Sequence, residues 1–279
     1  MEVREQGSFK GWDNIWKDHS SADQLNKKYT TEEPKNYYEF WQHAYAKDLL
    51  NLIDGKGYTQ FCELGSGTAT TSMYLSKNGY TDITLVDLAA NAFKIASYNF
   101  DHYNLQQPKF YLENVEATSL AKDSFDCIYN IGLLEHFEDP TKVLKESLRL
   151  LKPGGMIYMP IVPMIPVTKE LFQILIFNPV RFLKVLVFLA KGKRRVAKDI
   201  IRTKHSFEFY KEICSSLGYH SIKCIPYNPF PMVNTEGSIG EKIQFWFNYK
   251  YYKIFKSKKK LTFKTNKRFN ICLLLVASK

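Results

Sequence analysis

Between Tyr58 and Ile161 this chain of 279 residues repeats one phrase, a short apolar run followed by a stretch with helical spacing. That alternation constrains the fold more than any other feature. Runs 60–64, 83–87, 109–112, 125–130 and 155–161 read as strands, and 70–77, 89–100 and 141–151 as helices. Strands joined by helical crossovers run parallel and carry helices on both faces, so the sequence predicts an α/β fold built on a doubly wound, mostly parallel sheet.

The same grammar returns near the end of the chain. A helix over 207–217, an extended run over 220–226 and a last strand over 269–277 complete seven strands. Ahead of the repeat, Phe40, Ala44, Tyr45, Leu49 and Leu52 recur at helical spacing and predict a helix over about 37–53. Residues 1–57 therefore read as an N-terminal helical cover, dense in aromatics such as Trp12, Trp16 and Trp41, and 58–279 as the main domain. Two segments interrupt that domain. A helical cap insertion after strand five spans 163–204, and a second insertion spans 228–260, with a helix near 241–255.

Charge and cysteine usage narrow the setting. The formal net charge is +11, and the excess collects in 191–204 and in 250–268, the latter without Asp or Glu. Such blocks attract nucleic acid or anionic membrane, or form a solvated face. Cys62, Cys127, Cys214, Cys224 and Cys272 are odd in number and form no C-x-x-C pair, which argues against a disulfide framework or a zinc site. With no apolar run behind a basic start, the sequence predicts a cytoplasmic protein.

The chemistry-bearing positions fall at the carboxyl ends of successive strands, where open parallel sheets bind ligands. Glu63-Leu64-Gly65-Ser66-Gly67-Thr68-Ala69 joins the first strand to the first helix, and its two glycines let the backbone turn tightly and approach a ligand. Asp87, twenty residues after Gly67, ends the second strand, where a carboxylate can accept from both hydroxyls of a ribose. Thr70 stands in place of the third glycine of a dinucleotide fingerprint, which weakens a nicotinamide reading.

At this point the chain resembles the class I, Rossmann-like S-adenosylmethionine-dependent methyltransferases. The resemblance rests on 63–69 with Asp87, on Glu116-Ala117-Thr118-Ser119-Leu120 followed by Phe125-Asp126, and on Leu151-Lys152-Pro153-Gly154-Gly155; it covers roughly 37–162 plus a sheet ending at Ala277. It implies S-adenosyl-L-methionine as cofactor. Glu63 and the loop Leu64, Gly65, Ser66, Gly67 and Thr68 would hold the methionine end and Asp87, with Leu88 beside it, the ribose. Glu116 and the Ala117 amide would meet the adenine, while Asn130 and Ile131 approach the amino acid moiety. Two departures are mild: Ala69 replaces a frequent glycine, and Glu116 stands where Asp is more usual. The segment 152–155 reads as a turn that ends the preceding helix.

Methyl transfer from a sulfonium is largely a matter of positioning, and a base is needed only where the nucleophile carries a proton of high pKa. Glu135 and His136 follow strand four at the cleft, and His136 has a near-neutral ordinary pKa, although it suits a packing role as well. His205 could return to the cleft or sit at the start of a helix capped by Ser206. Glu135 and His136 lack a visible third ligand, so no metal site is assigned.

The acceptor is less constrained. Apolar runs 171–177 and 180–190 are broken by Pro179, Arg181 and Lys184, which excludes a membrane span and fits a cap, a homodimer interface or an interfacial helix. The reading is a small-molecule, glycan or lipid-linked acceptor, with peripheral membrane contact through 171–195. Nucleic acid ranks lower because Asn130-Ile131-Gly132-Leu133 stands where the resemblance would place Asn/Asp-Pro-Pro-aromatic for a base nitrogen. An RNA methyltransferase and a non-catalytic S-adenosylmethionine-binding subunit remain the alternatives.

Overall fold

The structure, a computed structural model, describes residues 13, 33–164, 175, 183, 187, 202–230, 239–256 and 258–279. The expectations for the rest of 1–32 and for most of 163–204, including membrane contact through 171–195, lie outside the described residues.

Helix α1 (Tyr37–Ile53) starts at Asn36, whose side chain accepts from the Glu39 amide at 2.9 Å and donates to the Glu39 carboxylate at 2.9 Å, so cap and first turn satisfy each other. The repeat follows: β1 (Gln60–Leu64), α2 (Thr70–Lys77), β2 (Asp82–Asp87), α3 (Ala90–His102), β3 (Lys109–Leu112), β4 (Phe125–Tyr129), a short 3₁₀ turn (Leu134–His136), α4 (Thr141–Leu150) and β5 (Leu151–Ile161). Helix α5 (Phe207–Leu217) opens on Ser206, which accepts from the Phe209 amide at 3.1 Å. Then come β6 (His220–Tyr227), α6 (Ile239–Tyr251), a π turn (Tyr252–Lys256) and β7 (Cys272–Ser278).

The seven strands lie in the order β3-β2-β1-β4-β5-β7-β6. The first five are parallel, and β7 enters antiparallel between β5 and β6, pairing Ile161 with Leu273 and Cys224 with Leu275. One expectation is corrected here. The segment 152–155 is no turn between helix and strand: Leu151 already pairs with Phe125, and the ladder resumes at Cys127 and Met156. The three extra residues on β5 form a bulge, with Gly154 at φ 80° donating to the Lys279 carbonyl at 3.2 Å.

Alternate strand residues feed two cores, as the period of a pleated strand requires. Phe61, Leu85, Tyr129, Tyr158 and Leu274 face α1, α2 and α3; Cys62, Val86, Ile128, Ile157 and Leu275 face α4 and α5. On the first face α1 is bound to the late part of the chain. Phe40 packs against Phe230, Phe245, Tyr249, Tyr252 and Phe263 with ring centroids 5.1–6.3 Å apart. Beneath these rings Asp48, fully buried, accepts from Tyr227 Oη at 2.5 Å and from the amides of Thr262 at 2.6 Å and Phe263 at 3.1 Å. Tyr158 Oη adds bonds to Tyr227 Oη at 2.9 Å and to the Tyr45 carbonyl at 3.0 Å. Three distant segments are locked to the sheet by one network in which both Asp48 oxygens have donors.

Candidate active site

From β1 the chain winds outward through β2 to β3, and from β4 outward through β5. The sheet therefore reverses between β1 and β4, and a crevice opens outside the carboxyl ends of those strands.

The loop after β1 bends back over β2. Gly65 and Ser66 both donate to the Val86 carbonyl, at 2.8 and 3.2 Å, and the Gly67 amide donates to Asp87 Oδ2 at 2.8 Å. Asp87 Oδ1 takes the Ala89 amide at 2.9 Å. Burial holds the Asp87 carboxyl above its ordinary pKa; the Gly67, Ala89 and Leu88 amides oppose this and the nearby Asp13 adds to it. Gly65 is required twice over: it sits at φ 63°, and a Cβ there would lie 2.6 Å from Leu133 Cδ1. The loops after β1 and β4 thus touch, and a side chain at position 65 would force Leu133 to shift. Ala69, at φ 55°, takes the left-handed step that starts α2.

Behind the loop, Glu63 is buried against α2 and β4. Ser72 Oγ donates to the Glu63 carboxylate and lies 2.6 Å from Tyr129 Oη. Burial pushes the Glu63 carboxyl up to about 8, with the Ser72 bond opposing. Asn130 leaves β4 fully buried, and neither atom of its side-chain amide has a partner; Ser66 Oγ is likewise buried without one. Each such group costs about 1–3 kcal/mol unless something fills the crevice.

The remaining candidates divide. Ile131 is half-buried and follows Asn130 directly, and Leu88 is half-buried beside Asp87. Glu116 is half-exposed in a turn held by Asn114, and the Ala117 amide already donates to the Asn114 carbonyl at 3.1 Å. That segment is fastened to α4, where Glu146 accepts from the Thr118 amide at 2.9 Å and from Arg149 at 2.6 Å. Glu135 is buried under the 3₁₀ turn; burial pushes its carboxyl up to about 7, and one of its oxygens has no partner. His136 is half-buried next to it, and the Glu135 carbonyl accepts from Thr203 at 2.8 Å, which draws the chain after the cap segment onto this turn. His205 points elsewhere: its Nε2 lies 2.9 Å from the Glu138 carbonyl and its ring stacks on Phe209 at 3.9 Å. Among the described residues no three His, Cys, Asp or Glu side chains gather as a metal site would require.

Sequence reasoning passed over four residues of this region: Ser72, Tyr129, Leu133 and Asp13. Asp13 accepts from the Asn91 amide and side chain, both at 2.8 Å, at the start of α3. A signal for Ser72 existed, since Thr70-Thr71-Ser72 puts three hydroxyls into the first turn of a helix whose neighbours are apolar.

These features fit S-adenosylmethionine. Unpaired buried donors and acceptors at Asn130 and Ser66 await a polar ligand, Asp87 stands at the end of its strand where it can accept from hydroxyls, and the glycine turn leaves room beside the backbone.

Known proteins agree. Residues 62–159 match the family described as a methyltransferase domain. The chain is 26% identical over 141 residues to a demethylmenaquinone methyltransferase of Chlorobaculum parvum, covering 50% of this chain and 56% of that protein. It is 30% identical over 115 residues to a ubiquinone biosynthesis O-methyltransferase of Paracidovorax citrulli, covering 39% and 47%. The chain thus spans about half the length of these relatives. In fold it resembles phosphoethanolamine N-methyltransferase 2 of Haemonchus contortus, solved with S-adenosyl-L-methionine, at a TM-score of 0.57 and 14% identity, over 98% of this chain and 60% of that one. Sheet order, crevice and matched segment together identify residues 62–159 as a methyltransferase domain within a chain of the class I, Rossmann-like fold.

Proposed function

We propose that the chain transfers the methyl group of S-adenosylmethionine to an oxygen or nitrogen of a small-molecule, glycan or lipid-linked acceptor. One observation carries the reading: Asp87, clamped by the Gly67 amide, and the unpaired amide of Asn130 flank the same crevice at the switch point of the sheet. When bound, the cofactor supplies an electrophilic methyl on a positive sulfonium. In this reading Asp87 accepts from the ribose hydroxyls and Asn130 and the Ser66 hydroxyl meet the amino acid end. Glu63 is set back behind the loop and holds Ser72 and Tyr129 in place. Glu116 borders the adenine side.

For the acceptor, His136 is the base. It is half-buried on the turn next to the crevice, whereas His205 is committed to the Glu138 carbonyl and Glu135 lies beneath the surface. A hydroxyl acceptor needs that base, and an amine already neutral at working pH does not. The names of the two relatives, which concern menaquinone and ubiquinone chemistry, support a lipid-like or ring-bearing acceptor.

Calorimetry with S-adenosylmethionine tests the first half: no measurable heat would end the proposal. A labelled-methyl screen over metabolite, lipid and RNA pools tests the second. Incorporation into small molecules or lipids is expected, and incorporation into RNA alone would replace this acceptor class.

A further inference from the structure

The outer side of α6 is apolar where a surface helix should be polar. Its inner residues Phe245 and Tyr249, with Tyr252 beyond, pack on Phe40. Its outward residues Ile243, Trp246 and Phe247, continued by Ile254 and Phe255 in the π turn, keep 49–64% of their area exposed. Their spacing puts them on neighbouring faces of one short segment, so the apolar area is continuous rather than scattered.

A basic surface adjoins it. Lys250 lies over the Trp246 ring at 4.1 Å, and the chain from Lys256 to Arg268 contains no carboxylate. Lys223, Lys256, Lys259, Lys260 and Lys264 line a cavity of about 1040 Å³ that also borders Tyr251. Its wall is apolar at Ile225 and Phe269, and none of the described residues lining it is acidic. Asp54 lines a neighbouring recess with Lys258, and Glu33 pairs with Lys253 of the π turn. Lys256 is fixed by its bond to the Lys264 carbonyl at 2.8 Å.

We propose that this side of the molecule docks on an anionic phospholipid bilayer, with the α6 aromatics seated in the headgroup boundary and the lysine-lined cavity taking a lipid phosphate. Charge complementarity selects this occupant. Trp, Phe and Ile above a lysine rim is the composition of an interfacial helix, and apolar burial and basic attraction reinforce each other there. A second copy of the chain would bring one lysine-rich rim against another in a self-complementary contact, which opposes dimerisation through this face. The surface is formed by residues other than 171–195, where the sequence predicts membrane contact, and does not depend on methyl transfer.

Co-sedimentation of the full chain with vesicles of phosphatidylcholine, alone or mixed with phosphatidylglycerol, tests it. The mixed vesicles should bind roughly tenfold or more tightly, and binding should weaken as salt rises. Trp246→Ser/Phe247→Ser/Ile254→Ser should lower that affinity at least roughly tenfold. Lys259→Gln/Lys260→Gln/Lys264→Gln should lower it by a similar factor and flatten the salt dependence. Both variants change exposed side chains and should keep the wild-type melting curve and S-adenosylmethionine affinity. Equal binding to both vesicle types, or full binding by the serine variant, overturns the proposal. So does a dimer in light scattering that the serine variant loses, or tighter binding to an RNA oligonucleotide lost in the same variants. If vesicle binding holds while the cofactor titration is flat, the methyl-transfer reading fails alone.

Discussion

Two buried carboxyl centres sit on the same face of the sheet and are built in opposite ways. Asp48 has three donors on its two oxygens, all from distant parts of the chain, and touches no crevice residue. Around Glu63 the wiring is incomplete: one hydroxyl serves the carboxyl, and the adjacent Asn130 and Ser66 leave polar atoms unpaired. A satisfied network rigidifies, while an unsatisfied one carries a cost that a ligand can relieve. The first centre holds the molecule together, and the second is held ready.

Asp48→Ala should break the contrast hardest. Removing the acceptor strands two buried amides and leaves Tyr227 Oη with Tyr158 Oη alone, and the expected loss is about 3–5 kcal/mol in urea unfolding. The fraction that stays folded should bind S-adenosylmethionine as before; intact stability with lost binding would reverse the assignment of the two centres. Asp87→Ala should do the opposite. Cofactor affinity measured by calorimetry should fall about a hundredfold, or about 2.7 kcal/mol, while stability falls by roughly 1–2 kcal/mol for the stranded Gly67 and Ala89 amides.

Glu63 sharpens the comparison through pH. Its carboxyl titrates at about 8 in the folded chain against an ordinary 4.5, so the fold holds a proton that the unfolded chain releases. The stability it contributes is complete below the unfolded value and is lost as pH rises toward about 8. Glu63→Gln should therefore flatten the fall in melting temperature between pH 5 and 8, by an amount on the order of 1–2 kcal/mol at the upper end. An identical pH profile in both proteins would show that the proton is not held there. The smallest effect belongs to Asn130→Leu. Replacing an unpaired amide by a side chain of like size should leave stability within about 1 kcal/mol of wild type, or raise it, and should weaken cofactor binding roughly tenfold. A large destabilisation would mean that Asn130 is structural.

What the sequence made legible was local. The bounds of α1, β1, α2, β3 and α5 coincide with those read from periodicity, and the glycine turn and Asp87 were visible because their role is set by the backbone within a few residues. Asp48 was not visible. On α1 it reads as one more polar position, and its partners Tyr227 and Thr262 are 179 and 214 residues away. Tyr129 and Leu133 were hidden for the same reason, since only strand pairing brings them against the first loop. The stretch 152–155 misled because a bulge and a helix-terminating turn use the same residues, and the difference lies in whether Leu151 already has a strand partner.

The place of β7 has a consequence for how the molecule comes into being. It is the wedge between β5 and β6, yet it follows Ile161 by more than a hundred residues. While the chain is being made, the parallel half from β1 to β5 can close early, but β6 has no neighbour until 272–278 emerge. Until then the β5 edge, with Ile157, Met159 and Ile161, is open to any passing strand. The methyl-donor crevice can thus be complete before the sheet is.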